Sequence, residues 1–101
     1  MRYFSWDDNK ARANVRKHGI SFETAARAFA DPYAVKRFDR QIDDEERWHT
    51  FGMVAGHLLL LVVHTSEEED DDEYIRIISA RKADKGGEEI YFSTNRERGC
   101  L

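Results

Sequence analysis

Leu58-Leu59-Leu60-Leu61-Val62-Val63 is apolar at both parities. That pattern suits a β-strand buried on both faces rather than an amphipathic strand at a surface, so this segment is expected at the centre of a sheet. Just upstream, Ala55-Gly56 supplies a two-residue turn, and Arg47 to Val54 alternates, with Trp48 and Thr50 on one side and Arg47, His49 and Phe51 on the other. The two segments form a predicted hairpin. Downstream, Tyr74 to Ala80 is rich in β-branched residues and returns as the next strand, running into Arg81-Lys82. Between them, Glu67 to Glu73 is seven consecutive carboxylates, whose mutual repulsion predicts a solvated hairpin tip. Ala34 to Phe38 is a weaker strand, joined to the hairpin by the polar stretch Asp39 to Glu45.

Helices flank this meander. Arg2 to Trp6 is a short aromatic strand, after which Asp7 and Asp8 offer N-cap chemistry for a helix reaching about Lys17, where Gly19 stops it. Ala11, Asn14, Val15 and His18 recur at helical spacing as its inward stripe, while Lys10, Arg12, Arg16 and Lys17 make the remainder basic. Ser21 caps a second helix whose stripe is Phe22, Ala25, Ala26, Phe29 and Ala30, ended by Asp31-Pro32. A terminal helix is expected over Glu88 to Phe92, its start weakened by Gly86-Gly87, with Ser93 to Leu101 as a flexible C-terminal tail. The expected architecture is α+β: an antiparallel sheet with two N-terminal helices and a C-terminal helix packed on one face, in a single domain over residues 1–92 with a tail over 93–101.

Composition sets the outer limits. At 101 residues the chain holds one core, and 41% hydrophobic residues exclude global disorder. The lone Cys100 excludes a disulfide-stapled domain. The opening Met1-Arg2-Tyr3-Phe4-Ser5-Trp6-Asp7-Asp8 lacks a signal-peptide pattern, and the longest aliphatic run is too short to cross a bilayer, so a cytoplasmic protein with no membrane contact is expected. The net charge of −4 hides a segregation. Residues 1–40 carry nine Lys/Arg against five Asp/Glu, residues 41–75 one against eleven, and residues 76–101 six against four. Both ends are basic and the middle is acidic.

The residues that bear chemistry are few. Arg76, Arg81 and Lys82 lie on or just past an apolar strand, where a cation must reach a phosphate, a carboxylate or water. Strict alternation sets Arg76 and Arg81 on opposite faces, so they share a site only if the strand bends or bulges between them. His64 has the parity of Leu58, Leu60 and Val62 and is expected at the sheet margin, with a reference pKa near 6.5 suited to proton transfer. Glu46-Arg47 opens a strand with its two charges on opposite faces. His18, His49, His57 and His64 show no short metal-ligand spacing, and neither a phosphate loop, a dinucleotide fingerprint nor a serine-nucleophile elbow is present. No metal and no cofactor are expected.

Trp6-Asp7-x-Asn9-Lys10, Asn14, Lys17-His18-Gly19-Ile20-Ser21-Phe22, Phe29-x-Asp31-Pro32, Glu46-Arg47 with Gly52, and Ile75-Arg76-Ile77-Ile78-Ser79-Ala80-Arg81-Lys82-Ala83 together resemble the BrnT toxins of bacterial type II toxin–antitoxin modules, over roughly residues 4–91. The resemblance implies a RelE-like fold and a metal-independent endoribonuclease that inhibits translation. It also implies a bound BrnA-type antitoxin in a hetero-oligomer that reaches DNA only through that antitoxin. It makes Arg47, Arg76 and Arg81 the phosphate and transition-state stabilisers, His64 or Glu46 the proton-transfer group, and Lys82 or Tyr91 a support. Lys10 and Lys17 of the basic helix become further RNA contacts. The acidic run at Glu67 to Glu73 departs from the short, often basic hairpin of the family. A catalytically weak antitoxin-binding subunit that tunes operon repression is the competing reading.

Overall fold

The computed structural model describes residues 1–100. It contains β1 (Arg2–Ser5), α1 (Asp8–His18), α2 (Phe22–Arg27) followed by a 3-10 turn (Ala28–Ala30), β2 (Val35–Ile42), β3 (Glu45–Val54), β4 (Leu58–His64), β5 (Glu67–Glu69), β6 (Asp72–Lys82) and α3 (Lys85–Glu97). The sheet runs β1-β6-β4-β3-β2, with β5 added to β6. The apolar run therefore occupies the middle strand. Leu60 and Val62 are fully buried toward one face, and Leu61 is buried toward the other.

Two expectations about the sheet change. It is mixed rather than antiparallel, because β1 pairs in parallel with β6, Phe4 beside Ile75 and Ser5 beside Arg76. The chain between them supplies the long crossover that parallel neighbours require. The helices also cover both faces. Ala11 of α1 with Phe22 and Ala25 of α2 packs on Leu58, Leu60, Val62, Ile75, Ile77 and Ala80, whereas Ile90 and Tyr91 of α3 pack on Val35, Phe51, Leu59 and Leu61. A central strand apolar at both parities exposes its second face unless an element covers it, and α3 is that element.

Local chemistry fixes each helix. Asp7 Oδ1 accepts from the Lys10 amide (3.0 Å), Ser21 Oγ from that of Thr24 (3.1 Å) and Asp84 Oδ1 from that of Gly87 (2.9 Å). Gly19 closes α1 at φ +72°. Within α1 the inward face is Ala11 and Asn14, while Val15 is 48% exposed. Buried Asn14 donates to the carbonyls of Ile20 and Ala80 (2.8 Å each) and accepts from the Ala80 amide (3.1 Å), tying α1 to β6. The polar member of the stripe thus ties the helix to the sheet and to Ile20 by three hydrogen bonds.

The C-terminal helix is longer than its sequence indicates. It starts at Lys85 because Gly87 packs against the ring of Phe51, where a Cβ would come within 2.9 Å. It continues to Glu97 because fully buried Asn95 donates to the carbonyls of Tyr33 (2.9 Å) and Tyr91 (2.8 Å). Residues 93–97 are therefore helix and not tail. The acidic run is also more ordered than a solvated tip. Glu67 to Glu69 pair with Asp72 to Tyr74 across a turn at Asp70 (φ +51°) and Asp71 (φ +71°). Glu73 turns back to meet Arg2 Nε (3.2 Å), Lys36 Nζ (3.6 Å) and Ser66 Oγ (2.6 Å).

Candidate active site

Two irregularities in the ladders bring charged side chains together. In β6, Ile77 and Ala80 belong to the same core cluster although they lie three residues apart. The ladder with β4 slips between them: His64 pairs with Ile77 and Val63 with Ser79, so Ile78 is an extra residue. This bulge restores Arg76 and Arg81 to one face, which strict alternation would separate. In β2, Phe38 pairs with Trp48 and Arg40 with Arg47, so Asp39 is extra there. Both bulges serve the face that α3 partly covers.

Cross-strand rows on that face follow from the register. Val35, Phe51, Leu61 and Arg81 form the row beneath α3; Arg37, His49, Val63 and Ser79 form the next; Arg40 and Arg47 begin a third. Beyond the end of β4, the Thr65 amide donates to the Arg76 carbonyl (3.0 Å), which brings Arg76 to the third row. Five arginines, at 37, 40, 47, 76 and 81, thus share one side of the sheet. Glu45 Oε1 lies 2.6 Å from Arg76 Nη2 and 3.4 Å from Arg47 Nε. The second contact is attraction without an aligned hydrogen bond, and Arg47 Nε is buried with no hydrogen-bond partner among the described residues. Asp39 Oδ2 sits 3.2 Å from Arg40 Nε and 3.3 Å from His49 Nε2. Forked guanidinium donors at this density match the oxygens of phosphodiesters.

The other expected site residues lie elsewhere. Glu46 is exposed on the reverse face of β3, so the carboxylate beside the arginines is its neighbour Glu45. His64 is not at a margin but fully buried on the α1–α2 face, edge-on to Phe29. Its Nδ1 donates to the Thr65 carbonyl (2.9 Å), and in the neutral ring its Nε2 accepts from Thr50 Oγ1 (2.7 Å). Burial pushes its pKa down to about 4, against the opposing pull of the Thr65 carbonyl. No substrate reaches it. Tyr91 is also buried, and its hydroxyl donates to Asp31 Oδ2 (2.7 Å), which also accepts from the Met53 amide (2.8 Å). Burial and the Asp31 carboxylate raise this phenol well above its ordinary range. Tyr91 holds α3 to the Asp31-Pro32 turn rather than contacting RNA.

Lys10 and Lys17 are exposed on α1, in the layer across the sheet from the arginines, and exposed Lys82, at the end of β6, borders a pocket with Met53, Leu59, Glu88 and Phe92 beside α3. Arg37, Arg40, Asp39, Glu45 and His49 are additions from the structure. Alternation groups His49 with Arg47 on β3 and Asp39 with Arg37 on β2, but only the pairing of the two strands brings the carboxylate to the imidazole.

A model of the family described as the ribonuclease toxin BrnT of type II toxin–antitoxin systems matches residues 6–86, a span that contains all five arginines. The chain belongs to the BrnT family. The crystal structure of the Brucella abortus ribonuclease toxin BrnT is similar in fold at 21% sequence identity, with a TM-score of 0.55 over 84% of this chain and 99% of that one. No curated protein matches the sequence. BrnT is a ribonuclease toxin family, so an RNA substrate and an antitoxin partner come with membership.

Proposed function

We propose that the arginine face binds single-stranded RNA and cleaves it without a metal ion. Attack of a ribose 2′-hydroxyl on the adjacent phosphorus leaves a 2′,3′-cyclic phosphate and a free 5′-hydroxyl. Such a reaction needs negative charge stabilised on a pentacoordinate phosphate, and guanidinium groups supply the positive charge for it. Arg76 and Arg47 hold the phosphate undergoing attack, competing with Glu45 for it, and Arg81 and Arg37 hold flanking phosphates. The observation that carries this reading is the convergence of five arginines on one face through two separate bulges. Bulges interrupt a ladder and cluster beside active sites because they re-aim side chains.

Cleavage of mRNA on this face stops translation, and a BrnA-type antitoxin neutralises it by covering the arginines in a hetero-oligomer, with DNA contacted through the antitoxin alone. The kinship extends in this reading to RelE-like nucleases. The test is cleavage of a labelled RNA by the purified chain in excess EDTA. Arg76→Ala should reduce the rate by about a hundredfold or more, as loss of a transition-state donor does, with unchanged thermal unfolding. Full cleavage by a folded Arg76→Ala protein removes the arginine face from the mechanism. Harmless expression of the unmodified chain, together with tight antitoxin binding, would instead favour a binding subunit.

A further inference from the structure

The proposed face has cations for phosphate but needs a group that moves a proton, and the two residues expected for that task are misplaced: His64 is buried and Glu46 faces away. Resting on the reading above, we infer that His49 is the general base and Asp39 its positioning residue. His49 lies in the middle row of the face, directly paired with Arg37 and two residues from Arg47 on the same side of β3. Two residues along a strand separate side chains by about 7 Å, so two long side chains can converge, one on a phosphate oxygen and the other on the neighbouring 2′-hydroxyl.

Its ring has the setting a base requires. Asp39 Oδ2 lies 3.3 Å from Nε2, and the imidazole is partly open to solvent, 29% exposed. The carboxylate beside Nε2 favours a proton on that nitrogen by attraction, without an aligned hydrogen bond, and so leaves the Nδ1 lone pair to accept another, the orientation logic of carboxylate–histidine pairs in hydrolases. Phe51 stands perpendicular to the ring at 6.3 Å between centroids. Asp39 shares the parity of Val35 and Arg37 and so already faces the arginine side beside His49; the bulge there turns Arg40, which alternation would send to the reverse face, to the same side.

In the reaction, Nδ1 takes the 2′-hydroxyl proton as the 2′-oxygen bonds to phosphorus. The bond from phosphorus to the 5′-oxygen then breaks, and that oxygen takes a proton from water. His49⁺ returns its proton to solvent with Asp39 still ionised.

The test measures cleavage and binding of one short RNA by the purified chain. His49→Ala should lose at least about a hundredfold in kcat, keep RNA affinity within a few-fold, and recover part of the rate in added imidazole. Asp39→Asn should lower kcat by a smaller factor, with KM unchanged. His49→Gln repeats the measurement if the alanine variant is unstable. Full-rate cleavage by folded His49→Ala and His49→Gln, with Arg76→Ala inactive, overturns the role of His49 and leaves the arginine face standing. Loss of RNA affinity without imidazole rescue overturns it as well, since His49 would then only hold the surface together. Retained cleavage in all three variants refutes the face itself.

Discussion

His64 shows how far burial alone can change the meaning of a residue. Both ring nitrogens are hydrogen-bonded, and the ring is shut between Thr50 and Phe29. The unfolded chain takes up a proton on this histidine below pH 6.5, while the folded protein resists it until about pH 4. Acid therefore favours the unfolded state across that interval, and the stabilisation present above pH 6.5 is lost as pH falls. The shift corresponds to about 3 kcal/mol. Urea unfolding at pH 7, 5.5 and 4.5 should show a falling midpoint, and His64→Gln, though less stable at pH 7, should flatten the slope. A midpoint independent of pH over this range would contradict the buried, neutral imidazole. Glu73 acts lower on the scale. Burial raises its pKa, but Ser66 and Arg2, aided by Lys36, outweigh that and hold it below the carboxylate norm, so its contribution is lost only as pH falls further.

At the scale of elements, the sequence is most legible where one rule acts alone. Capping residues Asp7 and Ser21, the stop at Gly19, the turn at Ala55-Gly56 and the doubly buried strand at Leu58 to Val63 all follow from local chemistry or periodicity. Ladder register is not legible this way, because the extra residues Asp39 and Ile78 carry no composition signal; their effect exists only relative to a partner strand. The same limit hides the helix ends, since Asn95 extends α3 through a carbonyl 62 residues away. Gly52 combines both kinds of information. It is a glycine in a strand, where glycine is otherwise unfavourable, and a Cβ there would overlap the Ala28 carbonyl oxygen and lie 2.9 Å from that residue's carbonyl carbon. The glycine lets the 3-10 turn lie directly on β3. Gly52→Ala should lower stability by about 1–3 kcal/mol in chemical unfolding, and an unchanged midpoint would mean that the turn is not seated on the strand.

For the whole molecule, the problem is how a chain of net charge −4 holds a polyanion. Charge segregation along the sequence becomes segregation in space: the arginines collect on one side of β2, β3 and β6, and the carboxylates of residues 67–72 project with the β5–β6 hairpin. The two are not far apart, because Glu73 precedes Arg76 by three residues on β6, about 10 Å along a strand. That distance is close to the screening length at physiological ionic strength, so the hairpin repels RNA at low salt and barely acts at high salt. Contact with three or four phosphates through the free share of the five arginines should give log K against log salt a slope of about −2 to −3 for a single strand. Replacing Glu67, Glu68, Glu69, Asp70 and Asp71 by neutral polar residues should speed RNA association several-fold in dilute buffer and leave it unchanged near 0.5 M salt, as measured by stopped-flow fluorescence. A gain that persists at high salt would mean the hairpin blocks the face by contact rather than through its field. Its carboxylates would then lie over the arginines, and an antitoxin would have to displace them before it could cover the face.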